Sequence, residues 1–169
     1  RQIIKCPKPI IAEVAGTATA AGCQLVASCD LAYASSSAKF ATPGVNIGLF
    51  CSTPMVAISR NLSNKHSMEM LLTGELISSD KAAKIGLIND VIEINELKDF
   101  VLDKAKKISK KSSVTLKIGK EAFYKQLDMK LSDAYDYASK VMVQNMLKLD
   151  AKEGIDAFID KREPNWKDK

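Results

Sequence analysis

An α/β core followed by an all-helical region is the fold class the sequence predicts, and three observations predict it. The apolar run 10–15 passes through small residues into a second apolar stretch, the pattern of a buried strand turning into a helix. Charge is unevenly spread: residues 1–60 hold two of the 20 acids and five of the 25 bases, so the early chain forms core and the later chain carries solvent-facing helices. Finally, Leu131, Ala134, Tyr135, Ala138, Val141, Met142, Asn145 and Leu149 fall on one face at helical spacing, as in a long amphipathic helix whose apolar stripe suits a core or a subunit interface.

Taken in order, residues 10–15 read as a buried strand, 22–30 as a short buried helix and 31–34 as a second strand. His66 opens the apolar helical pattern of Ser67, Met68, Met70, Leu71 and Leu72, so it is read as a helix-start or surface residue rather than a catalytic one. Ser78, Ser79 and Asp80 form an N-cap, 81–85 a short helix and Gly86 its stop. A strand over 87–92 follows, then helices over 96–110 and 113–127 before the long amphipathic one. The chain of 169 residues, 46% hydrophobic, holds one domain's worth of core material, and no run is long enough to span a bilayer.

The stretch from Gly16 to Gln24 is the most informative. A strand entering a helix through Ala20, Ala21 and Gly22 leaves the first helical N–H groups unpaired at the positive end of the dipole. With almost no side chain in the way, a carbonyl can approach those donors closely, as stabilisation of a tetrahedral or enolate-like intermediate requires. The only nearby acids, Glu13 and Asp30, have simpler roles: Glu13 on a partly exposed strand face, Asp30 bonded to backbone N–H groups or a lysine.

Cys6, Cys23, Cys29 and Cys51 contain no Cys-x-x-Cys pair, and the single histidine has no ligand spacing to them, so no metal site is expected. Cys23 and Cys29 read as buried thiols, and Cys51, beside Ser52 and Thr53 with no visible base, as pocket lining. The net charge of +5 is compatible with anionic ligands. The lysines from Lys104 to Lys120 are accompanied by Glu96, Asp99, Asp103 and Glu121 at the ends of the run and lack stacking aromatics, so a solvated helical face explains them and dedicated nucleic-acid binding is not expected.

Lys8-Pro9-Ile10-Ile11-Ala12-Glu13-Val14-Ala15-Gly16, the Ala21-Gly22-Cys23-Gln24 turn, Cys29 to Ala34 and Lys39 to Gly48 resemble, in that order, the crotonase superfamily, also called enoyl-CoA hydratase/isomerase. The resemblance continues through Leu71 to Ser78 and Ala82 to Ile88 to Ala157-Phe158-Ile159-Asp160-Lys161-Arg162, and so spans the chain. It implies a spiral of ββα turns, here lacking its early turns, with the crotonase core over 1–92 and a helical oligomerisation region over 93–169. The segment begins at Arg1 without Met and is expected to be the later part of a longer protein.

By the same resemblance, Ala21 supplies an oxyanion N–H, while Gln24 and Gly44 stand where hydratases carry their two glutamates. An amide or a bare backbone cannot take up a proton near neutral pH, so efficient hydration is not expected. Thr19, Ala20, Gly22 and Asn46 would shape the acyl site. Phe158 and Lys161 would reach a neighbouring subunit's acyl and CoA pocket, in a homotrimer or hexamer. The expected ligand is an acyl-CoA thioester, with no further cofactor, and a mitochondrial address is suggested. Whether the protein is an enzyme stays open between a family member relying on oxyanion stabilisation and a non-catalytic acyl-CoA binder or assembly subunit; RNA binding, known for some relatives, ranks below both.

Overall fold

The computed structural model describes residues 2–168. They form two compact units, one from Ile10–Ala105, the other joining the segment up to Pro9 with the segment from Lys106 onward. Two contacts account for where these units divide. Leu97 and Val101 of α6 (Ile94–Ser109) are buried against Tyr33, which keeps the first part of that helix with the sheet. The Lys120 ammonium donates to the carbonyls of Ile3 (2.9 Å) and Lys8 (3.1 Å), which ties the opening segment, including α1 (Gln2–Lys5), to the later helices.

The Ile10–Ala105 unit is built from strand–strand–helix turns. The first is β1 (Ile11–Val14), β2 (Thr17–Thr19) and α2 (Ala21–Ser28). The second is β3 (Leu31–Ser35), β4 (Lys39–Ala41), a 3-10 segment over Pro43–Ile47 and α3 (Ser52–Ile58), with α4 (Asn64–Thr73) behind it. β5 (Ile77–Ser78), α5 (Ser79–Lys84) and β6 (Asp90–Ile92) complete the unit. The two strands of a turn enter different sheets: β1, β3 and β6 pair in parallel, while β2 and β4 pair in parallel and β4 meets β5 antiparallel. This is the α/β arrangement the sequence predicts. The strand expected over 87–92 shortens to Asp90–Ile92 because Leu87 and Ile88 turn their N–H groups back onto the Ala82 carbonyl.

Alternation along the strands explains why both faces of the first sheet are covered. Ala32 and Ala34 of β3 point into the main core with Val14, Val26, Phe40, Ile58 and Met70, whereas Leu31 and Tyr33 face Leu97, Val101 and Phe100 of α6. Small residues on the inner face let α2 pack close. Asp30 accepts the Ile10 N–H at 2.7 Å, the backbone role expected of it, and Glu13 is exposed. Ser78 caps α5 by accepting the Lys81 N–H at 3.2 Å, and Gly86 stops the turn at φ +88°. His66 lies half-buried near the start of α4, capped by Ser63, and makes no more than a 3.9 Å approach to Glu69.

The second unit holds α7 (Ser113–Gln126), α8 (Leu131–Met146) and α9 (Leu149–Ile159). The amphipathic helix expected over 131–149 is therefore two helices, because Lys148 is extended and starts a new first turn around the buried Asp150. No residue of α8 is buried: Tyr135 is 70% exposed and Leu147, just after it, 81%.

The end of the chain is fastened onto these helices. Asp150 accepts N–H groups from Lys167 (2.7 Å) and Asp168 (3.1 Å) and is bonded to the Ser112 hydroxyl, which itself caps α7. Glu153 takes a bidentate Arg162 (2.7 and 3.2 Å) and the Asn165 N–H (2.7 Å). Trp166, the only tryptophan, donates to the Lys110 carbonyl at 2.7 Å and lays its ring on Gly154.

These bonds set an acid limit. Arg162 and the Asn165 N–H hold the Glu153 carboxyl down at about 2. Burial would raise Asp150, but the Ser112, Lys167 and Asp168 donors outweigh it and keep its carboxyl below the usual range. Carboxylates depressed in the folded state contribute stability that is full above the ordinary value, roughly 4, and is lost as pH falls through the folded value. Trp166 fluorescence is therefore expected to hold steady from pH 7 to about 5 and to report release of the tail as pH falls through the 4-to-2 window. A transition centred near neutrality would contradict this.

Candidate functional site

β2 and β4 run side by side in register, Thr17 to Lys39, Ala18 to Phe40 and Thr19 to Ala41. Their carboxyl ends therefore deliver two turns to one place, the position where parallel α/β sheets accommodate ligands. One turn is Ala20 to Gln24; the other is Thr42 to Cys51. The Ala20 N–H donates to the Ala41 carbonyl at 3.0 Å and joins them directly.

Ala20 holds φ +47° and ψ −112°, a backbone conformation that favours glycine and costs a residue with a Cβ on the order of 1–3 kcal/mol. Its bond to Ala41 and its own carbonyl, which accepts the Gln24 N–H at 3.0 Å, keep it there. The kink swings the chain from β2 into α2. No side chain caps α2, so the first-turn N–H groups around Ala21 and Gly22 stay available to a ligand oxygen. Ala21 is exposed, and Thr19, Ala20, Gly22 and Gln24 are half-buried around it. The Gln24 side-chain amide has no protein partner among the described residues.

Gly44 lies in the facing turn and is closed in from two sides. A Cβ placed on it would lie 2.7 Å from the Leu49 carbonyl oxygen and 2.9 Å from the Cys51 Sγ. Its N–H donates to that sulfur at 3.3 Å and its carbonyl accepts the Leu49 N–H at 2.9 Å. The thiol thus sits in the space a side chain at position 44 would enter. The Asn46 side-chain amide donates toward the Gly74 carbonyl at 3.5 Å, while Thr42 is buried and donates to the Met70 carbonyl at 2.8 Å.

Behind this floor Cys23 is fully buried; burial first, and then the neighbouring Cys51, push its thiol up to about 12. It stays protonated at neutral pH and is no nucleophile. Among the described residues of the two turns there is no carboxylate, and the groups they offer at the corner are hydrogen-bond donors. Phe158, 84% exposed on α9, and Lys161, at φ +53° just beyond it, belong to the helical unit.

Sequence reasoning identified the Gly16–Gln24 turn but not the strain at Ala20 or the packing of Cys51 over Gly44. An alanine gives no left-handed signal, and the 44–51 approach depends on how a 3-10 turn closes. Gly44→Ala is expected to lower stability by about 1–3 kcal/mol through overpacking against backbone. Gly22→Ala is the control: its Cβ would meet Ala18 at an ordinary 3.9 Å. Equal thermal midpoints for the two variants would show that the loop yields freely.

A family model described as Enoyl-CoA hydratase/isomerase matches residues 1–169. The chain is 54% identical over 160 residues to a rat (Rattus norvegicus) protein named enoyl-CoA hydratase domain-containing protein 3, mitochondrial, covering 95% of this chain and 53% of that protein. A crystal structure of the human protein of that name superposes with a TM-score of 0.95 at 50% identity, covering 98% of this chain and 65% of that one. An enoyl-CoA hydratase structure from Mycobacterium smegmatis gives 0.95 at 48% identity, over 97% and 64%. The chain spans about half the length of the curated relatives it matches.

Proposed function

The chain belongs to the enoyl-CoA hydratase/isomerase family, and from that premise we propose that it binds acyl-CoA thioesters at the Ala20–Gln24 turn without hydrating them efficiently. The observation that carries this reading is the closed seat of Gly44: the Cys51 sulfur occupies the space a side chain there would enter, and Gln24, at the other position where hydratases carry a glutamate, is an amide. Ala21's N–H would polarise the thioester carbonyl, a donor worth roughly 3–4 kcal/mol when preorganised. Thr19, Ala20, Gly22 and Asn46 would bound the acyl group.

The reaction best suited to such a corner stabilises an enolate without abstracting a proton. Decarboxylation of a malonyl-type thioester is of that kind: the C–C bond electrons pass into the thioester carbonyl as carbon dioxide leaves, and solvent returns a proton to the α-carbon. The second reading is a non-catalytic acyl-CoA binder. The exposed apolar residues Leu131, Tyr135, Met142, Val143 and Met146 support assembly as a homotrimer or hexamer, with Phe158 and Lys161 offered to a neighbour. The names of the relatives support a mitochondrial location. No helix among the described residues is long and apolar enough to cross a membrane.

Equilibrium binding of crotonyl-CoA and malonyl-CoA, measured with carbon dioxide release from the second, separates these readings. Binding with release supports the enzyme and binding without release the carrier. Failure to bind either thioester, by the chain and by the longer protein containing it, would overturn both.

A further inference from the structure

A cleft of about 410 Å³ lies in the helical unit, between one face of α7 and the end of α1 with the residues that follow it. Ile4, Pro7 and the ring of Tyr124 give it an apolar floor. Lys5, Lys117 and Lys125 also line it, with Glu121 the one acidic residue of the lining. Lys117, Glu121 and Lys125 follow one another at four-residue spacing and so project from one side of α7. None of these four forms an ion pair among the described residues.

The cleft is held open by its own structure. Lys120, next along α7, spends its donors on the carbonyls of Ile3 and Lys8, which fixes the opening segment against the helix. Lys125 is positioned over the Tyr137 ring at 4.9 Å, which places its charge without neutralising it. The surrounding field has the same sign. Among the described residues this unit holds 16 bases and ten acids, whereas Ile10–Ala105 holds seven and ten, so the positive excess of the chain is concentrated here.

We propose that this cleft is a binding site for a phosphate monoester that carries an apolar or aromatic body. Three ammonium groups and one carboxylate leave two positive charges, which a phosphate monoester near neutral pH, at roughly −1.5 to −2, matches. The floor of Ile4, Pro7 and Tyr124 gives the organic body a surface to leave water on, so neither half of the ligand alone satisfies the site. The proposal shares no residue with the Ala20–Gln24 turn and does not depend on the reading given to it.

Cys6 lines the same cleft, is half-buried and provides a local reporter. The chain is labelled with a maleimide in the presence of phenyl phosphate, inorganic phosphate or phenol, and the rate at Cys6 is read by peptide mass against that at Cys29. Phenyl phosphate is expected to slow Cys6 selectively at concentrations where phosphate and phenol do not. Lys117→Gln and Lys125→Gln should each raise the protecting concentration by about tenfold, the loss of one charge-assisted contact. Lys98→Gln, an exposed position of the other unit, should leave it unchanged. Equal protection by inorganic phosphate, protection insensitive to the cleft lysines, or none at millimolar phenyl phosphate would each overturn the proposal.

Discussion

Hydration of crotonyl-CoA is expected to run about 10²- to 10⁴-fold more slowly than in an ordinary member of the family, because each missing general acid–base group contributes roughly that much. The two groups act as a unit, so their losses do not simply multiply and the lower figure is the safer expectation. Gln24→Glu changes an amide to a carboxylate of the same shape at a half-buried position with no hydrogen-bond partner to lose. It should raise the rate by about a hundredfold or less, since a single carboxylate must serve as both acid and base. Adding Gly44→Glu should give no further gain, because its Cβ would lie 2.7 Å from a backbone oxygen and the turn must distort to admit it. A wild-type rate within tenfold of an ordinary family hydratase (kcat roughly 1–10³ per second) would refute the reading of the corner.

The second large effect is expected at Asp150, far along the sequence from that corner. Its side chain is 1% exposed and accepts from the Ser112 hydroxyl and the N–H groups of Lys167 and Asp168. Asp150→Ala removes the acceptor shared by three donors and leaves a small void, which should cost about 3 kcal/mol. The α7 cap should weaken with it, because the Ser112 oxygen that bonds Asp150 also accepts the Thr115 N–H at 3.2 Å. Denaturation followed by Trp166 fluorescence and by circular dichroism would show the tail leaving first and the helices melting earlier than in wild type. Asp150→Asn, which keeps an acceptor, should lose less than half as much. Identical stability of the alanine and asparagine variants would mean that the charge of the carboxylate, and neither the void nor the retained acceptor, sets the effect.

How far these features can be read from sequence depends on the range of the interaction that fixes them. The strand Ile11–Val14 and helix Ala21–Ser28 follow from apolar runs flanked by small residues, and the start and stop of α5 from Ser78 and Gly86, because each is decided within a few residues. The absence of acids around the corner is likewise plain in the chain. The break between α8 and α9 is not, since the apolar spacing continues through Leu147 to Leu149 while a buried Asp150 and the tail dictate the new turn. The unit boundary is hidden for the same reason: Lys120 reaches carbonyls more than 110 positions away. At the site, the partnership of Gly44 with Cys51 is short in sequence but depends on the closing of Pro43–Ile47 and on β2 lying beside β4.

The seat of Gly44 also governs which neighbouring sequences this fold can reach. Any side chain there must displace the Leu49 carbonyl and the Cys51 sulfur at once, so the effect of a change at position 44 is set by residues 49–51. Substitutions that reshape 49–51 have to come first, and they forfeit the present loop's bonds before the new side chain can repay them. The order of mutations is therefore not free: a path that begins at position 44 crosses an unstable intermediate, whereas one that begins at 49–51 passes through a loosened loop with the glycine still in place.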